Sequence, residues 1–183
     1  MALLITLSVL QVFVARLAHD NRTTEKVLSG ALFGGICVIG MMLPVEVTQG
    51  VIVDPRSVIL SMAALFGGPI VAAFTAMIAS TYRLFLGGDG VYVGVMVILI
   101  CSGFGLAYRY TVQKGWTKVN FIPLFLFGLM LHVVQLLLFT YLPAEIVEKV
   151  MTIVAIPLIL IFTPATALLG MLLQDIENRF KTE

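Results

Sequence analysis

Val58 to Leu86 reads VILSMAALFGGPIVAAFTAMIASTYRLFL, 29 apolar-rich residues interrupted at Gly67-Gly68-Pro69. As a single helix it would be about 44 Å long, well beyond a bilayer hydrocarbon core of about 30 Å. As two helices, the glycines make the turn and Pro69 opens the second at its first position, where its missing N–H is no loss. Charge decides between these. Arg16, Arg22 and Lys26 surround the loop before this region, and Arg109, Lys114 and Lys118 follow the next apolar run. Cytoplasmic loops carry the excess of Lys and Arg, so both loops belong on one side. That holds only if Val58–Leu86 crosses an even number of times, which predicts a helical hairpin with its tip at Gly67-Gly68-Pro69.

The rest of the chain fits the same setting. Of its 183 residues 60% are hydrophobic and 11% charged, with a net charge of +1 and a mean hydropathy of +1.09. A soluble domain is about 45–50% apolar and about 25% charged. Too few charges remain here to cover a water-facing surface, which excludes soluble enzymes, nucleic-acid binders and disordered tails. The sequence predicts an all-α integral membrane domain, residues 1–183, with no separate soluble unit. Ala2 follows no basic stretch and no small-residue cleavage pattern closes the first run, so a cleaved signal peptide is not expected.

Seven helical segments are predicted: Ala2–Ala18, Val27–Pro44, Ser57–Phe66, Pro69–Leu86, Val91 to about Ala107, Asn120–Leu142 and Val150–Leu173. Residues 1–26 hold the first helix and a polar cytoplasmic loop, residues 27–173 a six-segment core, and residues 174–183 a polar exit helix with an Asp175–Arg179 pair at i,i+4. The N-terminus falls outside and the C-terminus inside, with Glu46, Asp54, Glu145 and Glu148 in outside loops. Ser57–Phe66 is too short to span alone. The mixed stretch Val45–Arg56 before it is expected as irregular backbone, tolerated in a membrane only where protein buries it or a wet cavity receives it.

Arginine within a bilayer costs about 2.5–3.5 kcal/mol on insertion scales, so each needs a reason. Arg16 and Arg109 lie near cytoplasmic ends and read as snorkelling topology markers. Arg56 and Arg83 flank the Gly67-Gly68-Pro69 turn, and a hairpin brings both to the outer half of the membrane. Arg83 extends a small-residue stripe of Ala72, Ala76 and Ser80 that suits close helix packing. Two converging guanidinium groups suit a bidentate grip on a carboxylate or phosphate. The alternative is structural, with Asp54 and Asp89 neutralising the two arginines. Gly87-Gly88 could present N–H groups to an anion or simply connect two helices. Gln49 completes the candidate ligand-binding set of Arg56, Arg83, Asp54, Gly87, Gly88 and Gln49.

His132 and Gln135 share a face of an otherwise apolar helix; with Ser80 they form a candidate polar pocket or, more simply, an interhelical hydrogen-bonding pair. Cys37 and Cys101 read as small core residues, and Gly30 and Gly34 as a packing face or a dimer contact. No nucleophile–base pair, metal-ligand cluster or cofactor fingerprint appears, so no catalysis, cofactor, metal or nucleic-acid partner is expected of this chain.

Three runs in a fixed order carry a resemblance: GVIVDPRSV from Gly50 to Val58, LFGGP from Leu65 to Pro69, and YRLFLGGDG from Tyr82 to Gly90, with GMMLP from Gly40 to Pro44 alongside. From about Val27 to its end the chain resembles the 5TMR-LYT membrane sensor domain. That domain is the input module of LytS-type histidine kinases, and it also precedes diguanylate cyclase and PAS-containing kinase modules in bacteria. The resemblance implies a bacterial inner-membrane, multi-pass domain that senses a small extracytoplasmic anionic metabolite and relays it to a C-terminal kinase or cyclase; a homodimer is expected as the working form. Some members respond to pyruvate through paired arginines in the D-x-R and YR motifs, which are Arg56 and Arg83 here. The pyruvate branch also uses a cysteine and a serine early in the next helix. Val91 to Val97 holds neither, which leaves the ligand class at a small carboxylate. The family fold looks related to substrate-binding subunits of vitamin importers, and an importer subunit is the alternative function.

The predicted topology is open to cysteine labelling. A membrane-impermeant reagent added outside should modify Thr48→Cys and Ile146→Cys and spare Trp116→Cys; the reverse pattern would overturn the charge argument.

Overall fold

The computed structural model describes residues 22–42, 45–48, 51–53 and 55–182. The expected segment Ala2–Ala18 and the candidate residues Gln49 and Asp54 lie outside them. Where seven segments were expected, the described residues contain five helical runs long and apolar enough to cross a membrane: Thr23–Met42, Arg56–Leu86, Val91–Gln113, Phe121–Phe139 and Ala144–Arg179. The crossing part is therefore all-helical.

Helix α1 (Arg22–Met42) starts within the polar run expected as loop, with Glu25 in its first turn, where the helix dipole favours a carboxylate. Val45–Thr48 (β1) and Val51–Val53 (β2) then pair antiparallel, with Val45 opposite Val53 and an irregularity between Glu46 and Thr48. The irregular backbone expected there is instead a short ribbon. Its β-branched residues favour extended backbone, and pairing satisfies groups that irregular chain would leave open.

Helix α2 (Arg56–Met62) is buried at every residue. It widens through a π turn at Ala63–Gly67 and stops at Gly68, whose φ of 78° only glycine adopts readily. Helices α3 (Gly68–Leu86) and α4 (Val91–Gln113) follow, joined by a turn in which Gly87 and Gly88 have φ of 66° and 87°. Contacts along α4 give the chain direction. Ser61 and Ala64 pack on Gly105, Leu65 and Phe66 reach Arg109, and Arg83 packs on Gly94. Position along α4 thus advances through α2 and returns through α3, so the chain reverses at Gly68.

The reversal has a backbone reason. Pro69 has no N–H to offer the Leu65 carbonyl four residues earlier, and the non-helical Gly68 interrupts the ladder beyond it. Arg109 Nη1 supplies the missing donors, at 2.6 Å to Leu65 O and 2.8 Å to Phe66 O. Expected as a snorkelling marker beyond a helix ending near Ala107, Arg109 lies inside α4 and caps the hairpin tip.

Around the hairpin, α1 runs beside α3 at close backbone approach. A Cβ at Gly30 would stand 2.7 Å from Phe74 Cβ, and one at Gly34 would stand 2.8 Å from the Ile78 side chain. The Gly30–Gly34 pair is thus a packing face within the chain. Cys37 and Cys101 are buried in the core, as expected of small core residues. Helix α5 (Phe121–Phe139) packs antiparallel to α7, with Gly128 against Thr166 and Leu124 against Gly170.

Helix α6 (Ala144–Pro157) passes through a π turn at Leu158–Phe162 into α7 (Thr163–Thr182). Glu145 and Glu148, expected in a loop, therefore lie in the first turns of α6, with Glu145 at its dipole-favoured end. The π turn falls just before Pro164, whose ring cannot follow an unbroken α-helix without meeting the carbonyl four residues back. The α6–α7 rod is about 58 Å long, so α7 continues as the polar exit helix. Asp175 and Arg179 are paired there at 2.9 Å.

Gly105 seats α2 on α4. A Cβ there would collide with Ser61 O and stand 2.7 Å from Ala64 Cβ, whereas nothing lies within 4 Å at Gly103. Gly105→Val is expected to destabilise the folded protein by about 1–3 kcal/mol in chemical unfolding, as overpacked cores do. Gly103→Val should be neutral or slightly stabilising, since valine is the better helix former; equal effects would contradict the hairpin packing.

Candidate functional site

The hairpin brings Arg56 and Arg83 to one end of the bundle, opposite the Arg109 end. Arg56 opens α2 and Arg83 sits one turn from the end of α3. Both are almost wholly buried, at 4% and 1% exposure. The inward face of α3 runs through Val71, Ala72, Thr75, Ala76, Ala79 and Arg83. The expected stripe of Ala72 and Ala76 is inward, but it passes through Ala79 to Arg83 and leaves Ser80 half-buried beside it. The reason is geometric: alternating steps of three and four follow the 3.6-residue turn better than repeated fours.

Each arginine is positioned by its neighbours. Arg83 Nη1 donates to Gly87 O at 3.1 Å, which places its charge on the carbonyl end of its own helix. Its stem lies over Gly94 of α4, where a Cβ would stand 2.5 Å from Arg83 Nε. Gly94 is thus the space the guanidinium occupies. Arg56 Nη1 lies 3.3 Å from Met41 Sδ at the end of α1, beside Pro55 packed on Gly40. Helix α1, the hairpin and α4 meet at this end.

The glycine turn has a defined part in this arrangement. Gly87 directs its carbonyl to Arg83, and Gly88 O accepts from Val91 N at 3.2 Å to start α4. Asp89 is exposed and makes no ion pair among the described residues, so the structure gives it no neutralising role.

His132 has 0% exposure and lies between two hydroxyls, with Ser57 Oγ 3.5 Å from Nε2 and Thr163 Oγ1 3.4 Å from Nδ1. The Phe162 ring lies 6.2 Å away. This is an interhelical polar cluster joining α2, α5 and the start of α7. Gln135, one turn along α5, is buried, and its Oε1 has no hydrogen-bond partner among the described residues. Ser80 Oγ also has none, so Ser80 does not join His132 as the candidate pocket supposed.

Sequence reasoning missed Ser57, Thr163 and Arg109. Ser57 follows Arg56 directly on a segment too short to span, and that was the available sign that its hydroxyl is enclosed by protein. Thr163 precedes Pro164, a residue that forces a local change in helix pitch. Neither position names His132 as the partner, because 31 and 75 residues separate the bonded pairs.

A family model described as 5TMR of 5TMR-LYT matches residues 11–176. Comparisons with curated proteins and with solved structures return no match. Taken with helices long and apolar enough to cross a membrane, a match over that much of the sequence establishes that the chain belongs to the 5TMR-LYT family of membrane sensor domains.

Proposed function

We propose that the domain binds a small carboxylate-like metabolite from outside the bacterial cytoplasmic membrane and relays the event to a C-terminal histidine kinase or diguanylate cyclase. The observation that carries this reading is the burial of Arg56 and Arg83 at one end of the bundle. The two guanidinium groups lie at the same end, and each carries five donors in a fork that matches a carboxylate. In this reading Asp54 and Gln49 contribute from the approach to α2, and the binding end faces out while the Arg109 end and α7 face the cytoplasm.

The relay runs through the neighbour of Arg56. A ligand that draws Arg56 moves Ser57 with it, and Ser57 faces His132, which in turn faces Thr163 at the exit of the π turn. A π turn holds one extra residue in its ladder, so shifting it turns the helix beyond by about 100°. Helix α7 would carry that change to the output module, across a dimer of such domains. The shift is limited to the difference in the ligand's affinity for the two states.

A thermal-shift screen of small carboxylates and phosphates on the purified domain tests the reading, beside Arg56→Gln and Arg83→Gln. A ligand at a hundred times its Kd should stabilise by about 2.7 kcal/mol, and the stabilisation should vanish in both variants. Crosslinking between Asn178→Cys copies should change with that ligand and cease to change in Thr163→Val. Folded variants that keep the response, or no response to any anion, would reject the arginine site. Transport of ligand with a co-purifying ATPase would mark an importer subunit instead.

A further inference from the structure

Gln135 is 5% exposed, and its side-chain Oε1 has no hydrogen-bond partner among the described residues. It lies on the inward face of α5, with Leu131 and His132 before it and Leu138 and Phe139 after it, all of them buried. An acceptor enclosed in this way is costly until a donor reaches it. Its own helix offers none, because each backbone N–H in mid-helix already serves the carbonyl four residues back. Ser80 Oγ is also without a partner, but a change of rotamer can bring that hydroxyl to a carbonyl of the preceding turn. Gln135 has no such local remedy, so its donor comes from another group.

The place of Gln135 along the bundle indicates which group. Helix α5 starts just past the Arg109 end of α4 and by His132 has reached Ser57, at the start of α2. Gln135 is one turn further on, about 4.5 Å, which brings it to the level of Arg56. The chain that leads into α2 passes over the same region, since β1 packs on α6 and α6 packs on α5. An unsatisfied acceptor thus stands at the arginine end of the bundle.

We propose that Gln135 is a specificity-determining residue of the arginine site, and that the ligand is a short hydroxy carboxylate whose hydroxyl donates to Gln135 Oε1. This rests on the carboxylate reading given above. The division of labour follows from the groups themselves. A guanidinium only donates, so it serves the carboxylate oxygens and can accept no hydroxyl proton. The amide oxygen supplies that acceptor. A 2-keto acid would set oxygen against oxygen there, and an unsubstituted acid would leave Oε1 as it is.

The test compares lactate and 3-hydroxypropionate with propionate and pyruvate on the detergent-purified domain, by competition or calorimetry, beside Gln135→Met. A site built to pair a ligand hydroxyl rejects the analogue that lacks it. The better hydroxy acid is therefore expected to bind at least about tenfold more tightly than propionate or pyruvate. In Gln135→Met that preference should vanish while propionate affinity stays as it was, a split that loss of folding would not produce. The ligand-free variant should be no less stable than the parent, because it loses an unpaired buried oxygen. Equal binding of propionate and the hydroxy acids, a preference for pyruvate, or a preference that survives in Gln135→Met would overturn the assignment and leave the carboxylate site standing. A ligand-free variant that is clearly destabilised would show that the amide serves the fold, and would overturn it too. If none of the four acids binds, the arginine site and this inference fail together.

Discussion

A chain that turns back on itself leaves the carbonyls of its last turn without helical partners, and here Arg109 takes two of them. Much of the architecture depends on that contact. With the tip closed at Gly68, α2 lies within the bundle, buried at every residue and seated on Gly105 of α4. With α2 inside, Arg56 and Arg83 share an end and Ser57 faces His132. A straight helix over the same residues would carry the two arginines far apart and leave His132 without its partner on α2.

The energetic terms are of similar size, which is why the arrangement is specific. Burying an arginine at membrane depth costs about 2.5–3.5 kcal/mol on insertion scales, and a hydrogen bond to a charged group contributes about 1.5–3 kcal/mol. Arg109 has two carbonyls in reach. Arg83 likewise ends its own helix and fills the space that Gly94 leaves. Glycine recurs where helices need room: Gly30 and Gly34 let α1 approach α3, and Gly128 lets α5 approach α7. Larger residues at those points would separate the helices whose contacts enclose the arginines. The two π turns, at Ala63–Gly67 and Leu158–Phe162, lie ahead of Pro69 and Pro164, where a regular helix cannot continue.

The sequence carried the hairpin because two independent signals agreed, the Gly67-Gly68-Pro69 break and the placement of Lys and Arg in the flanking loops. It also carried the inward position of Arg83, since small residues at helical spacing lead to it. Other features were not legible. The ribbon at Val45–Val53 is only a few residues long, with polar residues among its β-branched ones, and reads as mixed loop. Helix ends were misplaced at Arg22, Gln113 and Ala144, where charged or polar residues looked like loop but make acceptable helix. Arg109 was assigned to the surface because its partners are backbone carbonyls, which leave no trace in side-chain identity. The Ser57–His132–Thr163 cluster needs three segments packed together before any of its members has a partner.

The reversal at Gly68 is most directly tested by a distance between its two ends. Spin labels at Pro55→Cys and Phe85→Cys, with Cys37 and Cys101 replaced by alanine, report the separation by electron–electron resonance in nanodiscs. Packed neighbouring helices, with axes about 8–10 Å apart, place the labels within about 25 Å of each other. A continuous helix would hold them about 45 Å apart, and that distance would contradict the account.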